Sequence, residues 1–206
     1  TGLTAWHGGS GTDTLNGPDG GPGLEVGLSG FGGNGDGWTV NSDNIAGTPI
    51  RSDVLTLTAN DYEQRRSAFA TTRVATGSFT ASFTFVASGD RGADGFAFVL
   101  QDSAPDALGT AGGGSSLGYE GMDRSVALMF SFWGGSSIGL GIDGQRESFE
   151  GTGSVSLGSG RPVEVTVSYE SRTLTVTLQQ EGAVFTKSFA VDLEARIGTE
   201  AWVGFT

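Results

Sequence analysis

The feature that most constrains the fold is a period of two in the apolar residues of several short segments. In residues 78–86 the period places four apolar side chains on one face, namely Phe79, Ala81, Phe83 and Phe85. Threonine and serine occupy the other face. Only an extended strand sends alternate side chains to opposite faces, so this segment is predicted to be a half-buried β-strand.

The same reasoning predicts strands along most of the chain. Less regular or shorter strands are predicted at residues 38–40, 54–58, 67–72, 138–142, 163–169, 174–178, 183–191 and 201–206. Gly95–Gln101 and residues 125–133 are more continuously apolar and are predicted to be central strands covered on both faces. Asp143-Gly144 predicts a hairpin turn, and Leu193–Ile197 one helical turn. The sum is about 10–13 strands, an all-β sandwich or barrel.

Composition excludes several classes of partner. The 206 residues carry 23 Asp+Glu against 11 Lys+Arg, a formal net charge of -12, which disfavours nucleic acid and anionic membrane surfaces. The absence of Cys excludes a disulfide scaffold or a thiolate metal site. No apolar stretch is long enough to span a membrane. A start at Thr1 is compatible with a domain of a longer, exported chain that has neighbouring domains.

The first residues differ from the rest. Residues 8–16, GGSGTDTLN, match the nonapeptide of the calcium-binding parallel β-rolls found in repeats-in-toxin proteins. In such a repeat Asp13 would offer an oxygen to calcium, a hard cation. The next nine residues lose the Asp, so half a site remains, and a flexible Gly/Asp-rich lead-in explains the segment as well. The predicted division is a lead-in over residues 1–26 and a sandwich over 27–206.

The ordered strings of the sandwich resemble the bacterial L-type (legume-type) lectin family. They are FTASFTFV, ADGFAFVLQ, GGGSSLGY, VALMFSFW, VEVTVSY, TLTVTL and WVGFT. The resemblance implies a concanavalin A-like jelly-roll sandwich of two antiparallel sheets. It also implies a glycan or polysaccharide as the partner.

The resemblance implies roles for four residues. Asp94, in the A-D-G motif, matches the carboxylate that accepts hydrogen bonds from two sugar hydroxyls, and the bond between Ala93 and Asp94 is expected to be cis. Gly113 or Gly114 matches the loop glycine that faces the sugar. Trp133 falls where the family places an aromatic ring against the apolar face of the sugar.

The family's paired calcium and manganese site has no counterpart. Met129 and Ser131 stand at the Glu and first Asp positions, and Gly135 and Gly139 stand near the Asn and His positions. The ion pair is therefore predicted to be absent, since hard cations need oxygen ligands. Either packing holds the loop at residues 133–137 in place, or affinity for sugar is weak or lost.

The ends of the chain also depart from the family pattern. Residues 1–8, TGLTAWHG, resemble what normally follows the final GFT. A fragment, a circular permutation and a strand supplied by a neighbouring copy each explain this. We predict that residues 1–7 pair beside residues 201–206.

Three functions remain open. The first is a non-catalytic, carbohydrate-binding module of an extracellular or cell-surface bacterial protein. The second is an adhesion module that binds protein or itself and no sugar. A glycoside hydrolase is disfavoured, because a retaining enzyme needs two carboxyls ~5–5.5 Å apart. The central strands carry no such pair, and Asp192 and Glu194, which have the spacing, lie near a predicted turn.

Overall fold

The computed structural model describes residues 2–7, 30–43, 45, 47–59, 63–88, 94–110 and 114–206. Within these residues it contains fifteen strands: β1 Gly2–His7, β2 Trp38–Asp43, β3 Ile50–Arg51, β4 Val54–Leu55, β5 Arg65–Ala70, β6 Val74–Ala75, β7 Phe79–Ser88, β8 Gly95–Gln101, β9 Ser125–Ser131, β10 Ser137–Ile142, β11 Gln145–Gly151, β12 Val163–Glu170, β13 Thr173–Gln180, β14 Ala183–Ala190 and β15 Glu200–Phe205. The helical segments are short: α1 Gly32–Gly35, a 3₁₀ turn Gly114–Ser116 and α2 Leu193–Ile197.

The strands form two antiparallel sheets, as the sequence predicts. One sheet has the order β14-β13-β12-β7-β1-β4-β3, and the other β11-β10-β9-β8-β15-β5-β2, with β6 paired to β15 at its side. In the described part of the chain, no helix has the length and apolarity needed to cross a membrane.

The apolar faces of both sheets meet in an inter-sheet core. Along β7, Phe79, Phe83 and Phe85 are buried, and Phe83 pairs in register with Val165 of β12. Across the core, Phe130 of β9 contacts these rings and stacks on its neighbour on β8. Burial of alternate residues on facing sheets is what makes the period-two pattern stable.

The central strands β8 and β9 are covered on both faces, as predicted. Phe96, Phe98 and Leu100 enter the inter-sheet core, whereas Ala97 and Val99 point to the other side. There they join a second group, called here the loop-side cluster, which consists of Phe69, Ala97, Val99, Leu117, Tyr119, Met122, Ala127 and Met129. The loop between β8 and β9 is thus partly buried, contrary to the expectation that it lacks the apolar residues to bury itself.

Turn chemistry behaves as predicted at the hairpin between β10 and β11. Asp143 and Gly144 have φ of +49° and +73°, as a two-residue hairpin with φ above zero at both positions requires. The strand returning from this turn, β11, was not named in the sequence analysis. Its residues alternate too weakly to predict, because β11 is an edge strand and is largely exposed.

Three sequence predictions need correction. Residues 1–7 do not pair beside residues 201–206, because β1 lies in the other sheet from β15, between β7 and β4. The same finding places Gly2–His7 in the sandwich rather than in a separate lead-in. The strand predicted at residues 54–58 is shorter and ends at Leu55.

Candidate functional site at the Asp94 rim

Asp94 lies at the sandwich edge, immediately before β8. Gly95 follows it with φ of +143°, and a Cβ there would collide with the carbonyl oxygen of Phe130 on β9. The close approach of the two strands therefore requires glycine. The carbonyl of Asp94 accepts a hydrogen bond of 2.8 Å from the N–H of Phe132. These contacts fix the backbone that carries the half-buried carboxylate.

Gly114 packs directly against the carboxylate of Asp94. A Cβ at Gly114 would overlap Oδ2 and Cγ of Asp94, so only glycine fits while the carboxylate keeps its position. Gly114 begins the 3₁₀ turn, and its carbonyl accepts a hydrogen bond of 3.0 Å from the N–H of Leu117. The structure thus brings the acidic residue and the Gly-rich loop together.

Trp133 follows Phe132 and so belongs to the same edge. Its side chain is 72% exposed, one of two large exposed apolar side chains in the described residues. An indole buries a large area when it is covered, and leaving it in water is unfavourable. Packing in the core is therefore not its role. Asp94, Gly114 and Trp133 together are called here the Asp94 rim.

Arg146 on β11 is a rim neighbour that the sequence analysis missed. Its Nη1 donates to the carbonyl of Ser115, 3.3 Å away, next to Gly114. Arg146 pairs with Gly141, on the same face of the sheet as the loop. The hairpin turn that precedes it was the available signal, since such a turn demands a returning strand.

A separate hollow of about 80 Å³ lies between the two sheets. It is lined mainly by apolar side chains, among them Phe31, Phe79, Leu100 and Phe205, and Asp94 is not one of its lining residues. Hydroxyl-rich ligands need hydrogen-bond partners when they leave water. The Asp94 rim has the chemistry for such a ligand, and the hollow does not.

Comparison with solved structures gives plant lectins. Lectin II from Ulex europaeus matches with a TM-score of 0.69 at 19% identity, over 82% of this chain and 83% of that one. Lectin I from Ulex europaeus, in complex with the methyl glycoside of α-L-fucose, matches with 0.68 at 20%, over 84% of each chain. Peanut lectin with a 9-residue peptide matches with 0.68 at 21%, over 82% of each.

The fold is that of the legume lectins. No family model matches the sequence, and no curated protein does either. At such identities the likeness establishes the legume-lectin fold alone.

The positions at which the resemblance implies metal ligands are apolar or small in this legume-lectin fold. Met129 is fully buried in the loop-side cluster, and its Sδ would lie 3.1 Å from a Cβ on Gly141. Phe149 lies over Gly139. Among the residues that the structure describes, no three or more His, Cys, Asp or Glu side chains are grouped as metal ligands would be.

Several predicted features lie outside the described residues. These are Gly113, Ala93 with its expected cis bond, and the calcium-binding repeat with Asp13. They stay predictions.

The acidic residues after β8 are not at the rim. Asp102 ends the strand that Asp94 begins, so seven residues separate the two, a distance of about 23 Å along a strand. It pairs with Arg73 and Arg124, and the hydrogen bond from Arg124 lowers the pKa of the Asp102 carboxyl. The expectation of a solvated loop carboxylate is wrong for Asp102, whose side chain is only 17% exposed.

Proposed function

We propose that this chain is a non-catalytic carbohydrate-binding module of an exported bacterial protein, acting outside the cell or at its surface. The ligand is a glycan or polysaccharide. The observation that carries the proposal is the contact between the carboxylate of Asp94 and Gly114 at the edge of a legume-lectin fold.

The chemistry of the Asp94 rim suits a sugar. A carboxylate is an acceptor only, and its charge-assisted bonds to hydroxyls are stronger than neutral ones. The exposed indole of Trp133 offers an apolar surface beside it. Solved legume lectins with the same fold include complexes with galactose and with a fucoside, which supports the assignment of ligand class.

A hydrolytic role receives no support from the acidic residues singled out in the sequence. Asp192 accepts a hydrogen bond from the N–H of Ala195, 3.1 Å away, as the N-cap of α2. It also pairs with Arg172 at 3.1 Å. Its carboxylate is therefore engaged in holding the helix and the turn.

The proposal is tested by a glycan array with the parent chain and with Asp94→Asn. We expect the substitution to lower affinity about ten- to hundredfold, because a hydrogen bond to a charged group contributes about 1.5–3 kcal/mol. Asp106→Asn, at an exposed loop carboxylate, is the matched control and should bind as the parent does.

Two other outcomes would count against the proposal. A silent array, together with self-association that rises with protein concentration, would favour the adhesion module. Cleavage of soluble polysaccharide that survives Asp94→Asn would contradict both the non-catalytic role and the assigned site.

A further inference from the structure

The Asp94 rim is assembled from three separate segments that a ligand would need in fixed positions. They are the residue before β8, the turn Gly114–Ser116 and the loop at residues 133–136. A site held ready in advance binds more tightly, because less ordering is needed on binding. Something must therefore fix these segments relative to one another.

Aromatic rings fill the space over β10 on the loop side. A Cβ on Gly139 would lie 3.0 Å from Cγ and Cδ2 of Phe149, and one on Gly141 would overlap the ring of Tyr119. The sulfur of Met129 closes the gap beside Gly141. Aryl carbon and thioether sulfur are poor ligands for calcium, which takes 6–8 oxygens. The side chains present do not fit an ion pair here.

Tyr119 anchors the loop to the sheet. It is fully buried, and its hydroxyl accepts bonds of 2.9 Å from Oγ of Ser125 and 3.2 Å from the N–H of Gly144. Burial raises the pKa of Tyr119 to about 12, so the phenol stays neutral at physiological pH. A neutral, fully packed phenol serves as a structural anchor.

Two short hydrogen bonds connect this anchor to the rim. The N–H of Tyr119 donates to the carbonyl of Ser116 at 2.9 Å, and the N–H of Leu117 donates to the carbonyl of Gly114 at 3.0 Å. Leu117 itself belongs to the loop-side cluster. The position of Gly114 against Asp94 is thus transmitted from buried side chains.

Hydrogen bonds hold the loop of Trp133 in a similar way. The carbonyl of Ser136 accepts a bond of 3.0 Å from the N–H of Thr152. Oγ of Ser136 accepts another of 2.8 Å from the N–H of Leu157. Thr152 is buried, so the clamp is shielded from water.

We propose that the loop-side cluster, with Phe149 and the Ser136 clamp, holds the Asp94 rim in its binding geometry without divalent ions. Ligand binding is then independent of calcium and manganese. The second statement rests on the proposed function of the rim, whereas the first concerns the loops alone.

The first test is hydrogen exchange of residues 114–122 and 131–137 in EDTA, in CaCl₂ and in MnCl₂. We expect the same protection in all three solutions. The readout is local because calcium at Asp13 would change only the N-terminal residues. Slower exchange of the two loops in either salt would overturn the proposal.

The second test removes the packing. Phe149→Ala should speed exchange of residues 114–122 about tenfold, since local opening becomes easier, and calcium should not restore it. Val184→Ala, at an exposed side chain, is the control and should leave these residues unchanged. If Phe149→Ala does not fold, Tyr119→Phe keeps the ring and removes the hydroxyl bonds. Unchanged loop exchange in the variant that folds would overturn the proposal.

Glycan binding with and without EDTA separates this inference from the proposed function. Binding that persists unchanged in EDTA supports both. Loops that stay protected in EDTA on a chain that binds no glycan leave the inference standing and remove the function. Binding that requires calcium, with loops that calcium protects, keeps the function and overturns the inference.

Discussion

At the scale of single residues, glycine decides how closely Asp94 can be approached. A Cβ on Gly114 would occupy the place of the carboxylate. We therefore expect Gly114→Ala to displace the Asp94 side chain and to lower glycan affinity at least about tenfold, the contribution of one charge-assisted hydrogen bond. Isothermal titration with the best array ligand measures this.

A matched control is available for that substitution. Gly77 has ordinary backbone angles and nothing within 4 Å of a built Cβ, so Gly77→Ala should bind as the parent does. Parent-like affinity in Gly114→Ala would show that the ligand does not use the carboxylate in the position seen here.

At the scale of elements, the end of β8 is tied to its neighbours by charge. Asp102 pairs with Arg73, which precedes β6 and lies over the ring of Trp202 at 4.6 Å, and with Arg124, which precedes β9. The hydrogen bond from Arg124 is the main cause that holds the pKa of Asp102 below its ordinary value of 3.8. The carboxylate therefore stabilises the fold above that value, and the stabilisation is lost as pH falls through the lowered pKa.

We expect Asp102→Asn to lower the melting temperature near neutral pH by roughly 2–4 °C, the effect of about 1 kcal/mol in a chain of this size. The gap between variant and parent should narrow below roughly pH 4, where the parent carboxylate also becomes neutral. Asp123→Asn, at an exposed carboxylate on the same edge, serves as the control. A gap that stayed constant down to low pH would contradict the charge pairing.

At the scale of the whole molecule, the two sheets depend on one core. Phe130 is fully buried and contacts Phe96 at 4.5 Å between ring centroids, and Phe83 and Phe85 of the opposite sheet at 6.2 and 5.9 Å. We expect Phe130→Ala to lower the free energy of unfolding by about 3–5 kcal/mol, because it removes buried contacts and leaves a cavity. Urea denaturation measures the change.

The control for the core substitution is an apolar side chain in water. Val184 is 60% exposed, so Val184→Ala should change the free energy of unfolding by no more than about 0.5 kcal/mol. Equal losses in the two variants would mean that Phe130 is not packed between the sheets.

Much of this architecture follows from local pattern. Alternation along residues 78–86 predicts which side chains of β7 are buried, because a strand has only two faces. The unbroken apolar run of β8 predicts cover on both sides, and the structure confirms it. Asp143-Gly144 predicts its hairpin through the φ values that those residues tolerate. The edge position of Asp94 came from a motif, and its use as a sugar ligand stays a prediction.

Pattern along the chain does not decide which strand lies beside which, and that is where the sequence reasoning failed. A period of two assigns a face but no neighbour, so β1 was paired with the wrong strand. Long-range partners had no local signal either: Tyr119 on Gly141, and Asp102 between two arginines. Those contacts exist only once the sheets have closed, since register and loop path bring together residues that lie 22 or more positions apart.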